Sequence, residues 1–163
     1  MTGASSWSFG EEDARRIQGV LRGFLGETHA RTALIVDRTG QLVATVGEAP
    51  AFDPTVFASL TAADFSANDQ LARMLGEAEF GTLFHQGERE SMYLADVARR
   101  VILVVLFDNR TTLGLVKLRV RPVVGQLNQV FTEMFERDGA GTPGVESAFL
   151  GEAEDEIDKL FGP

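Results

Sequence analysis

Apolar side chains recur at two different spacings along this chain. Ile17, Val20, Leu21, Phe24 and Leu25 fall at helical intervals and make one stripe. Just upstream, Ser8 and Glu11 have the spacing of a capping box, in which a hydroxyl and a carboxylate satisfy first-turn amides reciprocally. The first helix is expected over Phe9–Glu27. Ala33–Val36 and Leu42–Val46 are short β-branched runs joined by Asp37-Arg38-Thr39-Gly40. A polar connection ending in glycine closes a hairpin by placing that glycine at positive φ.

Asp53 before Pro54 signals the next helix start, an N-cap followed by proline in the first turn. Leu60, Ala63, Ala67, Leu71 and Met74 are its expected core stripe, with Gly76 as the C-terminal cap. Thr82–Gln86, Ser91–Val97 and Arg100–Phe107 read as three further strands. The last contains VILVVLF, with no polar alternation, so burial on both faces and a central place in the sheet are expected. Val116, Leu118 and Val120 alternate with Lys117, Arg119 and Arg121 like a strand, with Pro122 opening a helix stripe of Val123, Leu127, Val130 and Met134. The other reading is one helix over Thr112–Arg137, in which an internal proline costs about 3 kcal/mol or a kink. The pattern favours the strand. Helix, two strands, helix, three strands and helix make a layered α/β (α+β) domain around a five-stranded antiparallel sheet.

With 163 residues, 44% of them hydrophobic, the chain has enough apolar side chains for one core. The expected organisation is a domain over 1–137, a Gly- and Pro-containing linker over 138–151, and an amphipathic helix over 152–163. Of the net charge of −9, residues 138–163 carry −6, from seven acidic side chains and one Lys. The folded part therefore lacks the basic footprint of a nucleic-acid binder. No apolar run reaches the ~20 residues of a membrane span, and the N-terminus has neither the basic start nor the apolar stretch of a secretory signal. Neither nucleic acid nor membrane is expected as a partner, and a cytoplasmic protein is.

Catalytic patterns are wanting. There is no phosphate-cradling GxxxxGK[ST] loop and no GxSxG. His29 and His85 lack ligand spacing, so no metal is expected, and no cofactor is expected either. Two features rise above this background. Phe65 lies off the expected stripe of the second helix, beside Thr61, Asp69 and Arg73; a lone exposed apolar residue and an interface anchor are both open readings. In the tail, Leu150, Ala153, Ile157, Leu160 and Phe161 share one face, which reads either as a frayed acidic end or as a helix-in-groove motif.

The element order resembles the Roadblock family, and several stretches are similar to its regulators of bacterial polarity GTPases: Leu34–Val43 (LIVDRTGQLV), Ala58–Ala62 (ASLTA), Phe84–Glu88 (FHQGE), Val104–Leu118 (VVLFDNRTTLGLVKL) and the terminal Asp155–Phe161 (DEIDKLF). The resemblance covers the chain from about Phe9 to its end. It implies helices one and three on one sheet face and helix two on the other, with Thr112–Arg137 as one helix. It also implies a homodimer in which the third strands pair through Thr82, Leu83, Phe84, His85 and Gln86, laying the second helices side by side.

That two-helix platform would dock a small Ras-like GTPase of cell polarity or motility through Thr61, Phe65, Ser66, Asp69, Gln70 and Arg73, with the protein concentrated at a cell pole. The C-terminal helix, through Ile157, Leu160 and Phe161, would reach a second surface of the GTPase and bias nucleotide exchange. The implied activity is stimulation of the GTPase's own hydrolysis, so the chain is not itself an enzyme. Arg110 is a tempting arginine finger, but the resemblance implies a structural role. Relatives carry small platform residues where this chain has Ala63, Asp64, Phe65, Ser66, Asp69 and Gln70, which favours the alternative of a non-activating scaffold.

Overall fold

The computed structural model describes residues 10–141. Its order is α1 (Glu11–Thr28), β1 (Thr32–Asp37), β2 (Leu42–Gly47), α2 (Pro54–Met74), β3 (Thr82–Gln86), β4 (Ser91–Val97), β5 (Val101–Phe107) and α3 (Leu113–Gly141). The described residues up to Val130 form one compact unit, and the end of α3 from Phe131 belongs to a second. The helical backbone of α3 runs to Gly141, past the linker start expected at 138. The remaining linker and the segment 152–163 lie outside the described residues.

The five strands form one antiparallel sheet in the order β2-β1-β5-β4-β3. β5 is central, as its uninterrupted apolar run required, and Val101–Val105 are fully buried. Asp37 shapes the β1–β2 turn, its Oδ1 accepting from the amides of Thr39 and Gln41 at 3.0 and 2.9 Å. Gly40 closes that turn at φ 98°, and a Cβ there would stand 3.2 Å from the Cα of Ser59 on α2. Just before that turn, the pairing of β1 with β2 carries a register irregularity between Ile35 and Val36.

One sheet face packs under α2, where Leu34, Val36, Leu94, Ile102 and Val104 enclose Ala58, Ala62 and Phe65. On the other, α1 buries Ile17, Leu21 and Phe24. α1 starts differently from expectation: Gly10 is the extended N-cap, without a side-chain cap, and Glu11 is the first helical residue. Ser8, the other half of the expected box, lies outside the described residues. Glu11, Glu12 and Asp13 still fall in the first turn, where negative charge suits the helix dipole. His29 ends α1 at φ 60°, its amide donating to the carbonyl of Leu25 at 2.9 Å.

From Leu113 on, the stretch after β5 is helix, correcting the strand that the alternation of 116–121 suggested. Val116, Val120, Val123, Leu127 and Val130 are buried at helical intervals. Thr112 opens the helix, its Oγ1 accepting from the Leu115 amide at 3.2 Å, and Pro122 sits exposed inside it.

Candidate interaction surface

α2 begins as expected, with the Asp53 carboxylate accepting from the Thr55 amide at 2.9 Å and Pro54 in the first turn. It ends in a Schellman arrangement: the Gly76 amide, at φ 83°, donates to the carbonyl of Arg73, and the Glu77 amide donates to that of Ala72. Between these ends the helix is turned opposite to the expected way. Ala58, Thr61, Ala62, Phe65, Asn68 and Ala72 are buried. Leu60, Leu71 and Met74, expected in the core, are 66, 56 and 83% exposed.

Phe65 is therefore not an outward anchor. It is fully buried at the centre of the α2 core, and the Arg38 guanidinium lies 4.8 Å from its ring centroid. Thr61 is likewise buried. Asp69 is half-buried and accepts from Arg38, which also pairs with Asp96 of β4. Burial alone would lower the pKa of Arg38, but the hydrogen bonds to Asp96 and Asp69 outweigh it and raise the value above that of an ordinary arginine. Of the residues expected on the platform, Ser66, Gln70 and Arg73 are exposed. They follow at i, i+4 and i+7, along one flank of an outward stripe.

The sequence pattern assigned that stripe, Leu60, Ala63, Ala67, Leu71 and Met74, to the core; all five are exposed, and Val56 extends the stripe toward the start of the helix. Its middle is small, with larger side chains at both ends. The bulk expected to obstruct the platform is mostly elsewhere, since Phe65 points to the sheet and Asp69 is held by Arg38. Asp64 is bonded to His85 Nε2 at 2.6 Å.

Among the described residues, β3 is an edge strand, hydrogen-bonded only to β4. Leu83 packs against the α2 core, and Phe84 stacks on Phe107 with ring centroids 6.1 Å apart. Thr82, His85 and Gln86 are exposed. The His85–Asp64 contact ties this edge to α2, so the two sets of expected interface residues meet here. Between them opens a cleft of about 530 Å³, floored by Thr32, Met92 and Leu106 and walled by Phe52, Phe57, His85 and Gln86.

The end of the sheet beside this cleft carries a charge network. Arg31 pairs with Glu48 and Glu90, and Arg110 pairs with Glu48 and Asp108. The Arg31 and Arg110 guanidinium groups hold the Glu48 carboxyl below the ordinary carboxylate value. The Arg110 side chain and then its amide do the same to Asp108. In turn Asp108 and Glu48 raise the pKa of Arg110. Arg110 is thus engaged at home, which fits the structural role that the resemblance implied. Among the described residues, no helix is long and apolar enough to cross a membrane, and no group of three or more His, Cys, Asp or Glu stands close enough to hold a metal.

Comparison with known proteins bears on this geometry. The Roadblock/LC7 domain model matches residues 16–107. MglB of Myxococcus xanthus is 38% identical, with a TM-score of 0.73, over 78% of this chain and 96% of that one. The gliding protein MglB of Thermus thermophilus is 35% identical, with a TM-score of 0.71, over 77% of this chain and 95% of that one. A further MglB, solved in a tetrameric arrangement, is 35% identical with a TM-score of 0.71 over 78% and 95%. No curated protein matches. The chain is a member of the Roadblock/LC7 family and, within it, is similar to MglB.

Proposed function

We propose that this chain is a homodimeric regulator of a small Ras-like GTPase of bacterial cell polarity or motility, and that it accelerates GTP hydrolysis by docking on the GTPase rather than by supplying a catalytic group. The observation that carries this reading is the outer stripe of α2. A surface helix normally buries its apolar face and shows water a polar one; α2 buries one apolar face and displays another. Contiguous exposed apolar surface marks interaction sites.

The dimer would form through the β3 edge. An unpaired edge strand is a template for strand addition, and pairing with a second copy removes it. The GTPase would then meet Leu60, Leu71 and Met74 with the polar flank of Ser66, Gln70 and Arg73. Residues 152–163 would form the second contact through Ile157, Leu160 and Phe161. The MglB relatives support this assignment, one of them named as a gliding protein.

The test is single-turnover GTP hydrolysis by a cognate Ras-like GTPase with Leu60→Arg and Leu71→Arg variants. Both substitutions are at exposed positions and should leave the fold intact. An unpaired charge in an interface core costs several kcal/mol, so both variants should lose GTPase binding and stimulation together. Wild-type stimulation by both variants would place the contact elsewhere. Binding without stimulation by the wild-type protein would establish a scaffold instead.

A further inference from the structure

A second groove lies across the sheet from α2. Tyr93 and Ala95 of β4 form its floor, and Lys117, Leu118, Arg121 and Val124 of α3 form its wall, with Gly81 and Thr82 at the rim. Its volume is about 770 Å³, within the roughly 300–1,000 Å³ range of ligand clefts. Two properties set it apart from an ordinary solvated helix face. Leu118 is 64% exposed on a helix whose neighbouring valines, Val116 and Val120, are buried. Lys117 and Arg121, one turn apart, are both exposed, and neither pairs with an acidic group among the described residues. Arg119, by contrast, pairs with Glu27 of α1. The one acidic residue lining the groove, Asp96, is neutralised by Arg38.

An apolar floor flanked by unpaired cations fits an acidic segment with one apolar face. Residues 152–163 have that composition: five acidic side chains against one Lys, with Ile157, Leu160 and Phe161 at i, i+3 and i+4. We propose that this α3 groove seats residues 152–163 of a second copy of the chain. The apolar trio packs on Leu118, Val124 and Tyr93, and the carboxylates lie toward Lys117 and Arg121. This docking is independent of the GTPase reading, but its consequence rests on it. A segment seated on α3 is withheld from the GTPase, so engaging the GTPase requires its release.

The test uses the full chain, with no GTPase present, so its outcome is separate from that of the GTPase reading. Phe161 is replaced by the photo-crosslinker p-benzoylphenylalanine, and isotopically heavy and light copies are mixed before irradiation. Mass spectrometry should find heavy–light crosslinks into residues 113–124. Their yield should fall several-fold in Lys117→Glu/Arg121→Glu and also on raising the salt concentration. A control reversal at the exposed Arg22 and Arg73 should leave the yield unchanged, and circular dichroism checks that every variant is folded. Crosslinks mapping to α1 or α2, crosslinks confined to single chains, no crosslinks at all, or a yield indifferent to the Lys117/Arg121 reversal would each overturn the proposal.

Discussion

Arg38 caps the buried ring of Phe65, its guanidinium carbon 4.8 Å from the ring centroid. The two come from the β1–β2 turn and the middle of α2, and Asp69 and Asp96 hold the guanidinium from α2 and β4. Three separate segments are thereby fixed around one aromatic side chain. Phe65→Ala should cost about 3–5 kcal/mol, the usual range for emptying a packed aromatic site. Met74→Ala, on the outer stripe, should stay within about 0.5 kcal/mol. Urea unfolding of the two variants measures both. Comparable losses would mean that the faces of α2 are assigned the wrong way round.

Pro122 lacks the amide that would donate to the carbonyl of Leu118, and its exposed ring contributes no core packing. Pro122→Ala should therefore stabilise the domain by roughly 1–3 kcal/mol, since proline is about 3 kcal/mol worse than alanine inside a helix. A thermal melt reads the gain. No gain would indicate that α3 is locally open at that turn.

Ala98 and Arg99 are the central residues of the β4–β5 turn, which the Arg100 amide closes on the Val97 carbonyl at 3.1 Å; they stand at φ 56° and 58°, without a glycine. Both positive φ angles suit the Asn-Gly pair that such turns prefer. Ala98→Asn combined with Arg99→Gly should raise stability by about 1 kcal/mol. Chemical denaturation of the double variant reads the change. Destabilisation would mean that the Arg99–Glu79 contact contributes more than the backbone strain costs.

Glu48 and Asp108 have pKa values depressed by their arginine partners. Their pairing therefore stabilises the fold at and above the ordinary carboxylate range, and is lost as the pH falls through the depressed values. Arg110→Gln should melt slightly below wild type at neutral pH, and the two curves should converge in acid and in high salt. The same variant should retain GTPase stimulation. Loss of stimulation with folding and binding intact would restore Arg110 as a supplied catalytic group.

The strands were legible because their signals were unambiguous: an unbroken apolar run for β5, and a polar turn ending in Gly40 between β1 and β2. The facing of α2 was not, because the helix is apolar on two opposite sides and periodicity cannot choose between them. The larger side chains drew the expectation outward, whereas Ala58, Ala62 and Ala72 are what let the helix approach the sheet closely. The start of α3 misled for a related reason. Val116 and Val120 satisfy a two-residue alternation and a four-residue helical repeat equally, and only Leu118 separates them. In a helix it must be exposed, and it is.

The two margins of the sheet are not equivalent. β3, at one, pairs with β4 in unbroken register, while at the other the β1–β2 pair is broken in register, and such irregularities twist a strand away from further pairing. Growth by strand addition is thus one-sided. A two-fold partner joined at β3 would consume the regular margin of both molecules and leave only irregular ones outside. In such a dimer, polymerisation along the sheet would terminate after a single step, and any higher-order assembly would be built from helical surfaces.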